Sequence, residues 1–177
     1  MKTKPNNYAF IDAQNVYRGI LSCGWKIDWD RFRVWLKDKF EITHAYIFIG
    51  YLPGNENLYA YFQKAGFICI FKPILEHKDG TIKGNVDAEL VLYSAAIEYA
   101  RYDKAVIVSG DGDFACLVDF LKAREKLEAL LVPSRNNYSS LLKRCSLESK
   151  NNLYFISDQR VKLEYKKEKA SNGTKPN

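Results

Sequence analysis

Aspartates stand at three separate places in the chain where an apolar run gives way to a turn or a helix. Asp12 and Asp111 follow predicted strands, Asp113 comes two residues after Asp111, and Asp87 opens a long helical pattern. Strand ends along one edge of an α/β sheet meet at a single crevice, where ligands usually bind. Four carboxylates gathered there would repel one another unless a cation neutralised them, and a hard divalent cation such as Mg²⁺ prefers oxygen ligands. The pattern therefore predicts metal-assisted chemistry on a substrate that carries phosphate.

Apolar runs alternate with helical patterns along most of the chain. Strands are predicted at 8–12, 44–52, 67–71, 104–109, 127–132 and 153–156, and helices at 30–40, 56–65, 86–101, 113–124 and 138–145. The near-continuous hydrophobicity of the strands is typical of a parallel sheet that is covered on both faces. We therefore predict an α/β fold, a three-layer α/β/α sandwich with a mostly parallel central sheet and right-handed crossovers.

One segment interrupts this alternation. Residues 74–82 place Asp79 and Gly80 between two extended flanks, which is the signature of a β-hairpin, so an arm is predicted just ahead of Asp87. No linker divides the chain, so one globular domain is predicted, followed by a basic, disordered tail over 158–177.

Composition limits the class of protein. The chain has 177 residues, of which 47% are hydrophobic, as expected for one folded domain. No apolar run approaches the roughly 18 residues that span a bilayer, and none of signal-peptide length follows the N-terminus. The sequence thus predicts a soluble, cytoplasmic protein with no membrane partner. Its four cysteines are isolated from one another and from clustered histidines, which argues against a zinc site.

The net charge of +6 is concentrated near the two ends of the chain. Residues 5–159 contain 19 basic and 19 acidic side chains, so the predicted domain is neutral as a whole. This distribution is compatible with a polyanionic partner but does not by itself require one.

Other phosphate-binding motifs fit the sequence less well. The segment 110–115 matches the dinucleotide fingerprint G-x-G-x-x-A, but its two aspartates would face a pyrophosphate, and the next strand lacks the acid that binds ribose. A phosphatase with an aspartyl nucleophile would need a second acid at position 14, which is Gln. There is no Walker loop, and neither His44 nor His77 has a catalytic context.

Three motifs together resemble the signatures of NYN domains, the LabA-like branch of the PIN-like nucleases. They are Ile11-Asp12-x-x-Asn15, Lys83-x-x-Val86-Asp87 and Ser109-Gly110-Asp111-Gly112-Asp113-Phe114. Their order and separation also fit, and the resemblance covers roughly residues 6–157. It implies a PIN-like fold and cleavage of RNA that depends on Mg²⁺ or Mn²⁺.

The resemblance also implies roles for individual residues. Asp12, Asp87 and Asp111 would bind the metal, and Asp113 would be a fourth catalytic acid. Supporting positions would be Asn15 and Ser109. Hydrolysis would then use a metal-activated water, which agrees with the lack of a convincing Ser/His or Cys/His pair.

Basic and aromatic side chains near these motifs are candidates for holding RNA, either single-stranded or structured. The candidates for binding phosphate are Arg18, Lys83 and Arg135, and those for stacking on unpaired bases are Tyr17, Tyr51 and Tyr138. The sequence is compatible with a homo-oligomer. Two alternatives stay open: an RNA-binding regulatory module of the same fold with little or no turnover, and another metal-dependent phosphate enzyme, such as a Toprim-like enzyme or a phosphatase.

Overall fold

The computed structural model describes residues 4–73, 75–76, 82–83, 86–147 and 152–166. Its eight strands are β1 (Asn7–Asp12), β2 (Ile42–Tyr51), β3 (Ile68–Pro73), β4 (Leu75–Glu76), β5 (Ile82–Lys83), β6 (Ala105–Val108), β7 (Leu127–Val132) and β8 (Leu153–Phe155). The seven α-helices are α1 (Ala13–Leu21), α2 (Trp29–Phe40), α3 (Glu56–Lys64), α4 (Asp87–Leu92), α5 (Ala115–Ala123), α6 (Ser140–Leu147) and α7 (Arg160–Leu163). No described helix is long and apolar enough to cross a membrane.

Six strands form one parallel sheet in the order β3-β2-β1-β6-β7-β8. After β1 the chain passes through α1 and α2 to β2, whereas after β6 it passes through α5 to β7 on the other side. The strand order therefore reverses between β1 and β6, and such a switch point is where α/β sheets usually bind ligands. The predicted three-layer α/β fold is confirmed.

Alternate residues of the central strands face two separate cores. On one face Ile11 and Val108 pack with Phe32 and Leu36 of α2. On the other face Phe10 and Ile107 pack with apolar residues of α4 and α5, among them Leu90, Leu117 and Val118. Because both faces of β1 and β6 are buried, their residues are nearly all apolar until the chain leaves the sheet at Asp12 and Ser109.

Helix α1 is the main element that the predicted pattern lacks. It is nine residues long and buries Ala13, Val16 and Ile20 on one face, while Tyr17 and Leu21 are almost half exposed. Its start is fixed by a cap, because the Asp12 carboxylate accepts a hydrogen bond from the Asn15 N–H at 3.0 Å. The Asp-x-x-Asn motif therefore starts helix α1 in addition to belonging to the predicted site.

The long helix predicted at 86–101 is shorter and changes type. Helix α4 continues into a π-helical turn at Tyr93–Ile97, and the chain leaves the helix at Glu98. The Tyr102 hydroxyl donates to the Ser94 carbonyl at 2.6 Å, which holds the irregular turn against the following loop. Similarly, the helix predicted at 113–124 starts with a 3₁₀ turn at Gly112–Phe114.

The predicted hairpin arm is present. Strands β4 and β5 pair antiparallel, with Leu75 opposite Lys83 and Glu76 opposite Ile82. The Asp79-Gly80 turn lies outside the described residues.

The C-terminal segment is folded beyond the predicted domain boundary at 157. A 3₁₀ turn at Ile156–Gln159 leads into α7, whose Leu163 is fully buried beside α2. The Asp28 N–H donates to the Leu163 carbonyl at 2.8 Å, and the Tyr165 N–H donates to the Lys26 carbonyl at 2.8 Å. Residues 158–166, predicted as part of the tail, therefore belong to the described fold, because Ile156 and Leu163 pack in one core. Residues 167–177 lie outside the described part of the chain.

We expect Leu163→Ala to lower the free energy of unfolding by about 2–4 kcal/mol, since it removes a fully buried side chain from the core. Val161→Ala, two residues away at a position that is 84% exposed, should change it by less than about 0.5 kcal/mol. Urea denaturation of the two variants tests this. Equal, small effects would show that α7 does not contribute to the core.

Candidate metal centre

A cleft of about 830 Å³ opens at the switch point between β1 and β6. Its walls come from α1, from the start of α4, from the turn after β6 and from the loop after β7. The residues that line it are Asp12, Gln14, Asn15, Arg18, Gly19, Ser22, Val86, Asp87, Gly110, Asp111, Gly112, Asp113, Pro133, Asn137, Tyr138, Ser139 and Leu141. All four aspartates singled out in the sequence line this one cleft.

Three of the four carboxylates form a compact group. Asp87, Asp111 and Asp113 each offer an oxygen, and these oxygens lie within 4.8 Å of one another. Mg²⁺ binds oxygens at about 2.0–2.1 Å, so two ligands of one ion are at most about 4.2 Å apart. The three oxygens therefore lie near enough for one hard cation to bind all of them once the side chains draw together. Asp113 is exposed, whereas Asp87 and Asp111 are half-buried.

Asp12 lies at the base of the same cleft and is only 6% exposed. Its Oδ1 accepts a hydrogen bond from the Asn15 N–H, and its Oδ2 accepts one from the Ser109 hydroxyl at 3.4 Å. It lies outside the compact group of three oxygens. The family resemblance implies that Asp12 binds the metal with Asp87 and Asp111 and that Asp113 is a fourth catalytic acid, and these roles stay predictions.

The burial of Asp12 has an electrostatic consequence. Desolvation raises the pKa of its carboxyl from the ordinary value of 3.8 to about 6, and the negative charges of Asp87 and Asp111 also raise it. The two hydrogen bonds from Asn15 and Ser109 act in the opposite direction. Near neutral pH the Asp12 carboxylate is therefore charged, although its buried position disfavours the charged form.

A short hydrogen-bond chain ties the ends of β1 and β6 together. The Asn15 side-chain oxygen accepts from the Gly110 N–H at 2.7 Å. The Ser109 hydroxyl oxygen accepts from the Asp111 N–H at 3.1 Å, and the Asp111 carboxylate accepts from the Asp113 N–H at 3.1 Å. The side chains of Asn15 and Ser109 thus fix the backbone that carries Asp111 and Asp113.

Of the three side chains predicted to bind phosphate, one lines the cleft, one does not, and one is not described. Arg18 lines the cleft, and among the described lining residues it is the one with a basic side chain. Arg135 does not line the cleft, because its guanidinium pairs with Asp158 and stacks over the ring of Phe155, 4.0 Å from the ring centroid. The side chain of Lys83 lies outside what the structure describes.

The tyrosines predicted to stack on bases are also separated. Tyr138 lines the cleft and contacts Phe155 edge to face. Tyr17 and Tyr51 are 46% and 42% exposed, but neither lines the cleft.

The loop after β7 is a wall of the cleft that the motifs do not reveal. It contributes Asn137, Tyr138 and Ser139, and the Ser139 N–H donates to the Gly110 carbonyl at 3.1 Å. The contact requires a glycine at 112, because a Cβ there would lie 2.3 Å from Ser139 Oγ and 2.9 Å from Ser139 Cβ. The sequence signal for this wall is weak: a proline directly after a strand, then a serine that caps α6.

The pKa of Asp12 predicts how stability depends on pH. A carboxyl whose pKa is raised on folding destabilises the folded state when it is charged, by about 3 kcal/mol for a rise from 3.8 to about 6. This penalty is full above about pH 6, shrinks as the pH falls from 6 to 3.8 and is absent below 3.8, where both the folded and unfolded states are protonated. Asp12→Asn should therefore raise the free energy of unfolding of the metal-free protein at pH 7.5 by about 1–3 kcal/mol, and by much less at pH 4.5.

Denaturation in EDTA at the two pH values measures this difference. Asp38→Asn, which removes an exposed carboxylate from α2, is the matched control and should show no comparable change. A gain for Asp12→Asn of the same size at both pH values would mean that packing, and not charge, is responsible.

The contact between Gly112 and Ser139 yields a second test. Gly112→Ala should cost about 1–3 kcal/mol of stability, since the added methyl group overlaps Ser139. Ser139→Gly in the same chain should recover most of that loss, although it removes the cap that accepts from the Leu141 N–H. Gly110→Ala, whose nearest contacts are at 3.4 Å, is the milder comparison. Additive effects of Gly112→Ala and Ser139→Gly in a double-mutant cycle would contradict the contact.

Comparison with known proteins assigns the chain to a family. The model of the NYN domain family matches residues 8–149, which is most of the chain. A crystal structure of a protein of unknown function from Vibrio parahaemolyticus is similar in fold, with a TM-score of 0.74 and 24% sequence identity, over 92% of this chain and 98% of that chain. No curated protein matches. The chain therefore belongs to the NYN domain family, within the PIN-like nuclease superfamily.

Proposed function

We propose that this NYN domain, of the LabA-like branch, is a ribonuclease that hydrolyses RNA phosphodiester bonds with Mg²⁺ or Mn²⁺. The observation that carries the proposal is the convergence of Asp87, Asp111 and Asp113, from two separate parts of the chain, to within 4.8 Å. The family consists generally of hydrolytic nucleases, and the acid motifs of the family are intact in this chain.

In this proposal Asp87, Asp111 and Asp113 hold the cation. Their three oxygens are hard ligands, and their mutual repulsion favours a site that takes up positive charge. Asp12 lies behind them and adds negative charge from a fixed position. A bound divalent ion would neutralise the scissile phosphate and make a water molecule acidic enough to attack it.

The other residues of the cleft suit a sugar-phosphate strand. Arg18 places a positive charge within the cleft, where it would pair with a phosphate next to the one being cleaved. Tyr138 offers a ring for stacking on an unpaired base. Lys83 and the basic residues after 166 are further proposed contacts to phosphates, with affinity that weakens as salt rises.

Water as the nucleophile agrees with the chemistry of the lining. Among the described residues that line the cleft there is neither a cysteine nor a histidine. Ser109 is fully buried and its hydroxyl joins the Asp111 N–H to the Asp12 carboxylate, while the Ser139 hydroxyl oxygen accepts from the Leu141 N–H. A covalent enzyme intermediate is therefore not part of the proposal.

An RNA-binding module without turnover is the alternative function. The buried Asp12 argues for the enzyme, because a carboxylate with its pKa raised to about 6 lowers the stability of the folded protein at neutral pH. A module that only binds RNA, itself a polyanion, gains nothing from four carboxylates in its cleft.

Cleavage assays with RNA, DNA and nucleoside monophosphates, each with Mn²⁺, with Mg²⁺ and with EDTA, test the proposal. Asp111→Asn should lower the rate on RNA by more than about 100-fold, which exceeds the 10–100-fold typical of residues that only support a metal ligand. Asp38→Asn removes the same charge from an exposed part of α2 and should leave the rate unchanged. Binding of RNA without cleavage in any metal would favour the module.

The metal can also be followed without activity. Saturating Mn²⁺ at about 100 times its Kd should stabilise the protein by about 2.7 kcal/mol, a rise in Tm on the order of 5–10 °C for a domain of this size. The rise should largely vanish in Asp111→Asn. An unchanged rise in that variant would place the metal elsewhere.

A further inference from the structure

Strand β3 is the edge strand on one side of the six-stranded sheet. Among its six residues, only Lys72 has a charged side chain. Ile68 and Phe71 are each 38% exposed. Exposed edges are usually short or charged, as at the other end of the sheet, where β8 has three residues. Strands β4 and β5 form a separate sheet, so among the described residues no strand pairs with the outer side of β3.

The helical layer beside β3 is also apolar. An ion pair of 3.0 Å between Lys72 Nζ and Glu89 Oε2 places the start of α4 next to the end of β3. Leu92, three positions after Glu89, lies on the same side of α4, and Ala96 follows in the π-helical turn. Leu92 is 53% exposed, and Ala96 is exposed. Because Glu89 of α4 lies beside the end of β3, Leu92 and the turn that follows lie back along the strand, towards Ile68.

The opposite layer adds aromatic rings. Tyr59 of α3 is buried, and its hydroxyl is fixed by the Leu52 N–H at 2.8 Å. The Tyr59 ring supports Phe71 at 4.8 Å and Tyr51 at 5.6 Å between centroids. We call Ile68, Phe71, Tyr51, Leu92 and Ala96, together with the outer backbone of β3, the β3 edge surface.

We infer that the β3 edge surface binds the same surface of a second copy of this chain, with the two β3 strands antiparallel. A two-fold axis normal to the sheet would pair the outer N–H and C=O groups of both strands and set the two α4 helices side by side. Lys72 sits at the end of β3, so the axis separates the two lysines to opposite ends of the strand pair. No like charges would face each other at the centre.

The size of the surface is sufficient for such a dimer. A strand of six residues is about 20 Å long, and the sheet with its two helical layers is about 25 Å thick, which gives on the order of 500 Å² on each copy. The total of about 1,000 Å² meets the lower limit for a specific interface. RNA is a poorer occupant, because the one basic residue of β3 is already paired with Glu89.

The inference does not depend on the proposed nuclease activity. Antiparallel β3 strands point their C-terminal ends in opposite directions, so the two clefts would open on opposite sides of the dimer. Each cleft is built from one copy, and loss of the dimer should leave the rate per copy unchanged.

Sedimentation velocity over a range of concentrations tests the inference. The protein should be a dimer, and Leu92→Glu should raise its dissociation constant at least 100-fold by placing a charge in the interface. Val34→Glu is the matched control, because Val34 is 56% exposed on α2, away from β3, and this variant should remain a dimer. Circular dichroism should show both variants folded. A wild-type protein that is monomeric at every concentration, or equal behaviour of the two variants, would overturn the inference.

Hydrogen exchange identifies the strand itself. Amide protection of residues 68–73 should increase with protein concentration and should be lost in Ile68→Lys, which adds a charge to the edge. Concentration-independent exchange at these residues would exclude β3 pairing. If Leu92→Glu weakened RNA binding and left the mass unchanged, the surface would be an RNA site and the dimer would be wrong.

Discussion

The hydrogen bonds that join the end of β1 to the end of β6 are the constraint on which the site depends. Carboxylates crowded into one cleft repel one another, so their positions must be imposed by groups that do not neutralise them. Asn15 and Ser109 do this with neutral side chains, bonding to Gly110, Asp111 and Asp12. None of the ion pairs found among the described residues involves Asp12, Asp111 or Asp113, which leaves their charge available to a cation.

The same constraint explains why the motifs are compact in sequence. Asp12 caps α1 and Asp111 caps the 3₁₀ turn before α5, so each acid fixes the direction in which its own segment leaves the sheet. Gly112 then allows the loop after β7 to close against this turn. A change at any of these positions would alter both the local backbone and the spacing of the carboxylates.

Helix α4 connects the two surfaces of interest. Its first residue, Asp87, reaches the cleft, and its Glu89 pairs with Lys72 on β3. Its Leu92 belongs to the β3 edge surface, and Tyr93 of the π-helical turn packs against Tyr46 and Phe48 of β2. The cleft and the β3 edge surface therefore share one helix.

Much of the fold is predictable from the sequence, because runs of apolar residues bounded by turns determine where strands lie and that both faces of the sheet are covered. The six strands, the hairpin arm and the meeting of the acid motifs at one edge were predicted correctly. Helix α1 and the folded segment to Tyr165 were not, since α1 has only nine residues and α7 only four, of which Leu163 alone is buried.

The tertiary structure alone decided which side chains act together. Asp113 lies in one group of oxygens with Asp87 and Asp111, whereas Asp12 is buried at the end of β1. The Arg135 side chain is held away from the cleft by Phe155 and Asp158, which come more than 15 residues later in the sequence. Local pattern fixes the element to which a residue belongs, but the direction of its side chain depends on contacts between elements that are remote in sequence.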